Sequence, residues 1–149
     1  VTFRHIVAIA LVAGGFAGAV GLAHAQGADI VATREAGMKA TGANAGAIKK
    51  ALDAGADLTA LAPKAEEIAA WGTKIPSMFP PGSGVGKTRA LPAIWTDKAD
   101  FDKHAGDLSA AAGKLVIALK ANDATAAKAA FAATGAVCAA CHRSYRAPQ

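Results

Sequence analysis

The sequence predicts an all-α fold: an antiparallel four-helix bundle with a long loop between helices 2 and 3, preceded by a signal peptide. Three observations predict it. The chain is rich in alanine and poor in β-branched residues, a composition that favours helix. Apolar residues recur at three- and four-residue spacings in four segments, and no stretch alternates with period two. A concentrated run of proline and glycine lies mid-chain, between the second and third of those segments.

The N-terminus carries the pattern of a secretory signal. Arg4 and His5 give a positive start, Ile6 to Leu22 is uncharged and apolar, and Ala23-His24-Ala25 is a small-x-small site. Cleavage there assigns residues 1–25 to the signal and 26–149 to a single domain of 124 residues, long enough for a core of its own. The apolar stretch is borderline for a membrane anchor, and Gly14, Gly15, Gly18 and Gly21 weaken that reading. Loss of Arg4 lowers the formal charge from +5 to +4. The cations are dispersed and not interleaved with aromatics, which argues against nucleic acid. No second span is expected after cleavage, and export points to the periplasm.

The first helix is expected from about Asp29, its N-cap, to Ala54. Val31, Met38, Ala45 and Leu52 repeat every seven residues, with Arg34, Thr41 and Ile48 offset between them. The second is expected from about Asp57 to Lys74, with Leu61, Ala65, Ile68, Gly72 and Ile75 on one face and Pro63 tolerable only near the first turn. Pro76 to Thr96 is the irregular connection, with Trp71 and Trp95 packing around it; connections of this length are often functional. The third helix opens near Thr96 or Asp97 and ends near Asn122, on the stripe Phe101, Ala105, Leu108, Ala112, Leu115, Leu119. His104 flanks that stripe as a surface or satisfied histidine. Asp123 caps the fourth helix, which runs to about Tyr145 with Ala127, Phe131, Thr134, Cys138, Cys141 and Tyr145 on one face.

The chemistry lies in Cys138-Ala139-Ala140-Cys141-His142, a C-x-x-C-H run. Two thiols at this spacing add to the two vinyl groups of one porphyrin edge, and the next residue reaches the iron. On a helix, Cys138 and His142 are one turn apart. Competing readings are weaker. Cysteines three apart in a regular helix suit a disulfide badly, and a thioredoxin-like pair wants a βαβ context. A zinc site needs about four ligands, and after the signal only His104 remains as another histidine. One covalent haem c is therefore expected, with His142 as its proximal iron ligand. Seven residues follow His142, so a second axial ligand must come from upstream; Met38 and Met78 both precede it.

The chain resembles the class II c-type cytochromes, cytochrome c′ and cytochrome c-556. The resemblance is carried by Arg34-Glu35-Ala36-Gly37-Met38-Lys39, by Met78-Phe79-Pro80-Pro81-Gly82-Ser83, by Thr88 to Trp95 and by Val137 to Arg146. It implies that Met38 faces the haem opposite His142. It further implies that Arg34, one turn before Met38, pairs with a propionate, and that Arg146 shapes the proximal pocket. Glu35, Thr88 and Arg89 would border the haem; Glu35 and Arg89 depart from residues frequent there, an amide and an acid. Two functions follow. Met38 on the iron makes a c-556-like electron carrier serving periplasmic redox partner proteins; Met38 off the iron makes a five-coordinate, c′-like binder of nitric oxide or carbon monoxide. With no distal histidine and no acid–base pair beside Met38, no enzyme is expected. Homodimers in this class form through the first two helices, where Gly42, Ala43 and Gly46 could line a contact.

Overall fold

The computed structural model describes the backbone of residues 18–148 and the side chains from residue 30 to 148. Most of the expected signal, residues 1–17, lies outside the described residues. The bundle helices are α1 (Gly18–Ala54), α2 (Ala62–Lys74), α3 (Lys98–Lys120) and α4 (Ala124–Tyr145). They form the expected four-helix bundle, and the described residues contain no strand, only an isolated bridge between Ala90 and Arg146.

Two helix starts differ from expectation. α1 does not begin at Asp29 but runs on from Gly18. The intervening residues contain no proline, so nothing breaks the ladder, and Asp29 sits mid-helix instead of capping. α2 begins at Ala62 because Pro63 lacks an N–H and crowds the carbonyl four residues back. The preceding residues close a 3₁₀ turn, Thr59–Leu61, held by Asp57 accepting from Thr59 N at 2.9 Å and from Thr59 Oγ1 at 2.8 Å. Asp123 caps α4 as expected, accepting from Ala126 N at 2.9 Å. Asn122 ends α3 in the left-handed region, φ 50°, where asparagine is tolerated. Its side chain accepts from Leu58 N at 2.9 Å, tying the α1–α2 and α3–α4 connections together.

The whole predicted α3 stripe is buried, and Ala65, Ile68 and Gly72 of α2 and Ile75 of the 3₁₀ turn that follows it are buried in the same core. Gly72 is what lets the two helices close. A Cβ there would lie 2.8 Å from Ser109 N and 3.0 Å from Ala105 O. α1 contributes Val31, Ile48 and Leu52. It approaches α2 through Gly37, on which the Trp71 ring sits; Trp71 thus packs between helices and not around the loop. Trp71 Nε1 is buried with no acceptor among the described residues. Trp95 does hold the loop, donating from Nε1 to Pro80 O at 2.9 Å.

α4 corrects one expectation: by length and composition it is apolar enough to cross a membrane, with a mean hydropathy of 1.4. Alanines supply that value. The helix packs along α3 as the fourth member of the bundle, burying Ala127, Thr134 and Tyr145.

α1 and α4 scarcely touch each other, whereas α2–α3 and α3–α4 pack extensively. Half-buried Met38 and half-buried Cys138 and Cys141 mark the two walls of the gap. The core stops there, and the functional cavity begins.

Candidate haem site

The cavity measures about 530 Å³, within the ordinary range for a bound organic group. Glu35, Met38, Lys39 and Gly42 line it from α1, at i, i+3, i+4 and i+7 on one helical face. Cys141, His142, Tyr145 and Arg146 line it from α4, and Thr88, Arg89 and Ala90 from the loop. Phe79, Ile94 and Phe101 close its base. Every residue named above as a haem contact lines this cavity except Cys138, which is half-buried at its flank. Met78 packs against the core and is not among the lining residues.

Both cysteines are free thiols. Burial pushes the Cys138 thiol up; burial, then the charges of Cys138 and Asp100, push Cys141 up to about 11. Both shifts favour the neutral thiol over the thiolate near neutral pH. Burial holds the His142 imidazole below its usual range, and the cations Arg146 and Arg89 lower it further. A neutral imidazole is the form that binds a metal.

Arg34 is 3 % exposed. Its Nη1 donates to Ser83 O at 3.1 Å and Ser83 Oγ at 3.3 Å, its Nη2 to Thr88 Oγ1 at 2.7 Å, and its guanidinium lies 4.5 Å from the Phe79 ring centroid. This clasp of the loop by Arg34 joins residues about fifty apart and has no local sequence pattern. Burial lowers the Arg34 pKa and the charge of nearby Glu35 raises it in part, but no carboxylate among the described residues lies within ion-pair distance, so Arg34 has no directly bonded counter-ion. An acid group entering the cavity would supply one.

Arg89 turns to the chain end, donating from Nε to Ala147 O at 3.0 Å, while Leu91 N donates to Tyr145 O at 3.0 Å and Ala147 N to Arg89 O at 2.8 Å. These bonds strap the loop to the end of α4. Tyr145 OH donates to Asp100 Oδ2 at 2.7 Å, which raises its pKa, and His104 Nε2 lies 3.4 Å from the same oxygen. Asp100 went unnoticed in the sequence because it lies on the polar side of the α3 stripe. Lys39, which also lines the cavity, is not among the expected contacts, although its signal is visible in the sequence: it follows Met38 and shares the 35/38/39/42 face.

Two free thiols one helical turn apart, a neutral imidazole beside them, an apolar base and a buried cation lacking its anion fit a covalently bound haem. Cys138 and Cys141 would hold the porphyrin, and His142 would ligate the iron.

The comparisons agree. The family model described as Cytochrome C′ matches residues 29–146. A cytochrome c-556 from Agrobacterium tumefaciens (strain II Chrys) is 38% identical over 119 residues, covering 78% of this chain and 95% of that protein. The crystal structure of cytochrome c′ from Thermochromatium tepidum superposes with a TM-score of 0.76 at 35% identity, over 82% of this chain and 97% of that one. The nitric oxide complex of a cytochrome c′ variant from Alcaligenes xylosoxidans reaches 0.75 at 27% identity, over 83% and 97%. The chain belongs to the cytochrome c′ family, which includes c-556-like members, and its cofactor is covalently attached haem c.

Proposed function

We propose that this protein is an electron carrier in which Met38 completes the coordination of the iron held by His142. One observation carries the reading. Met38 and His142 line the same cavity from facing helices, and Met38 brings a soft thioether, a ligand suited to haem iron. When bound, haem supplies a one-electron couple between ferrous and ferric iron. The chain does the rest. His142 and Met38 would hold the iron from the two walls of the cavity, and a methionine ligand together with histidine would raise the potential. Arg34 takes a propionate as its counter-ion and keeps the loop over the site through Ser83 and Thr88. Phe79, Ile94 and Phe101 keep water from one side. Glu35, Thr88, Arg89 and Arg146 border the haem.

The protein acts without catalysis, in the periplasm after cleavage behind Ala25, where it serves soluble redox proteins. Gly42, Ala43 and Gly46 are exposed or half-exposed along α1 and would form a homodimer contact. A second reading has an observation of its own: the nitric oxide complex of the Alcaligenes xylosoxidans relative. In that reading Met38 crowds the iron without binding it, and the cavity receives nitric oxide or carbon monoxide.

Carbon monoxide kinetics on the ferrous protein separate the two. With Met38 bound, the rate saturates as gas concentration rises, because the thioether must leave first. A rate that stays linear to high gas concentration would overturn the electron-carrier reading in favour of the gas binder.

A further inference from the structure

The mouth of the cavity carries an excess of cations that no internal pairing explains. Lys39, Arg89 and Arg146 line the cavity, and Lys87 is exposed on the loop beside Thr88. None of these four has a carboxylate within ion-pair distance among the described residues. Elsewhere Lys49 pairs with Asp53, Lys98 with Asp102, Lys103 with Asp107 and Lys120 with Glu66, while six other cations, Lys50 and Lys114 among them, also lack a carboxylate within ion-pair distance among the described residues; what sets the mouth apart is its scarcity of acids. Of the ten acidic residues whose side chains are described, Glu35 alone lines the cavity. With Arg34 counted, five cations face Glu35 and the two carboxylates of a haem, so the mouth keeps a positive balance. Val85, 50% exposed and two residues from Lys87, adds an apolar contact on the same loop.

We propose that this mouth, framed by Lys39, Lys87, Arg89 and Arg146, is the docking face for an acidic electron-transfer protein. The inference rests on the electron-carrier reading above. An electron must leave through the edge of the cavity that meets solvent, so the partner has to approach there. Charges at the contact steer encounter, whereas charges on the far side add only to the net charge, screened beyond a Debye length of about 10 Å at 0.1 M salt. A partner presenting Asp and Glu around its own redox centre meets complementary charge at the mouth, where only Glu35 among the described residues opposes the cations.

The test separates position from net charge. The ferrous holoprotein is oxidised in a stopped-flow instrument by hexacyanoferrate(III), an anion, and by tris(phenanthroline)cobalt(III), a cation. Three proteins are compared: wild type, the mouth variant Lys39→Glu/Lys87→Glu, and the remote variant Lys50→Glu/Lys114→Glu, whose sites are exposed and outside the cavity. Both variants change the net charge equally. At low salt the mouth variant is expected to lose roughly tenfold in rate with the anion and to gain with the cation, and the remote variant to change by less than about twofold. All rates converge at high salt. Equal responses of the two variants would overturn the docking face while leaving electron exchange intact. Failure of either reagent to oxidise the ferrous wild type would instead remove the electron-carrier reading, and the docking face with it.

Discussion

Three glycines on α1 sit close together in sequence and should respond in opposite directions to the same substitution. A Cβ built on Gly37 falls 2.1, 2.3 and 2.4 Å from three carbons of the Trp71 ring, whereas Gly42 and Gly46 meet nothing within 4 Å. Carbon atoms rest about 3.5–4.0 Å apart, so Gly37→Ala obliges the indole or the helix to retreat by more than about 1 Å. Overpacking of that kind costs about 1–3 kcal/mol. Alanine returns about 1 kcal/mol of helix propensity, leaving a net loss of up to about 2 kcal/mol. Gly46→Ala keeps the propensity gain and suffers no clash. The propensity gain is common to both, so the two variants should differ by the overpacking cost, about 1–3 kcal/mol, in urea unfolding of the ferric holoprotein. Trp71→Phe in the Gly37→Ala background should recover part of the loss, because the smaller ring leaves room. The effect should also reach the haem, because Met38 follows Gly37 directly. Equal stabilisation by Gly37→Ala and Gly46→Ala, with identical haem spectra, would refute the argument.

Arg34→Met removes a buried charge and three hydrogen bonds to Ser83 and Thr88. Since bonds to charged groups are worth about 1.5–3 kcal/mol each but are not additive, a loss of roughly 2–4 kcal/mol is expected, with faster proteolysis between Phe79 and Ala90; an unchanged cleavage rate would show that the clasp does not hold the loop. Asp57→Ala should lower stability at neutral pH. Its bonds from Thr59 depress the folded-state pKa, so the stabilisation is full above the unfolded carboxylate value and disappears as pH falls through the depressed folded one. The two unfolding curves should therefore merge in acid, and a gap of unchanged size from neutral pH down to full protonation of the carboxylates would contradict this.

How much was legible in the sequence depended on whether a residue's role was periodic. The α3 stripe and the Asp123 cap could be read because burial and capping follow fixed spacings. The C-x-x-C-H run was equally legible, since covalent attachment fixes its spacing chemically. Where α1 starts was not legible, because alanine-rich sequence continues a helix without a signal. The 3₁₀ turn before Pro63 was only half anticipated: the proline constraint was read, but not where it would move the helix start. Least legible were contacts across long separations. Arg34 meets Ser83 and Thr88 about fifty residues away, and Tyr145 meets Asp100 across two helices. No local pattern encodes such pairs. Buried Asn44, which donates to Glu67 Oε2 at 2.7 Å, went unread for the same reason. The α1 face at Glu35, Met38, Lys39 and Gly42 lies between these extremes: its helical spacing is visible, but only the gap beside α4 shows what it lines.

The central claim is that Met38 occupies the position opposite His142. The ferric electronic and electron paramagnetic resonance spectra of the wild type and of Met38→Ala test it most directly. A low-spin wild type that becomes high-spin in Met38→Ala is the predicted result. A high-spin wild type whose spectra survive Met38→Ala unchanged would contradict it.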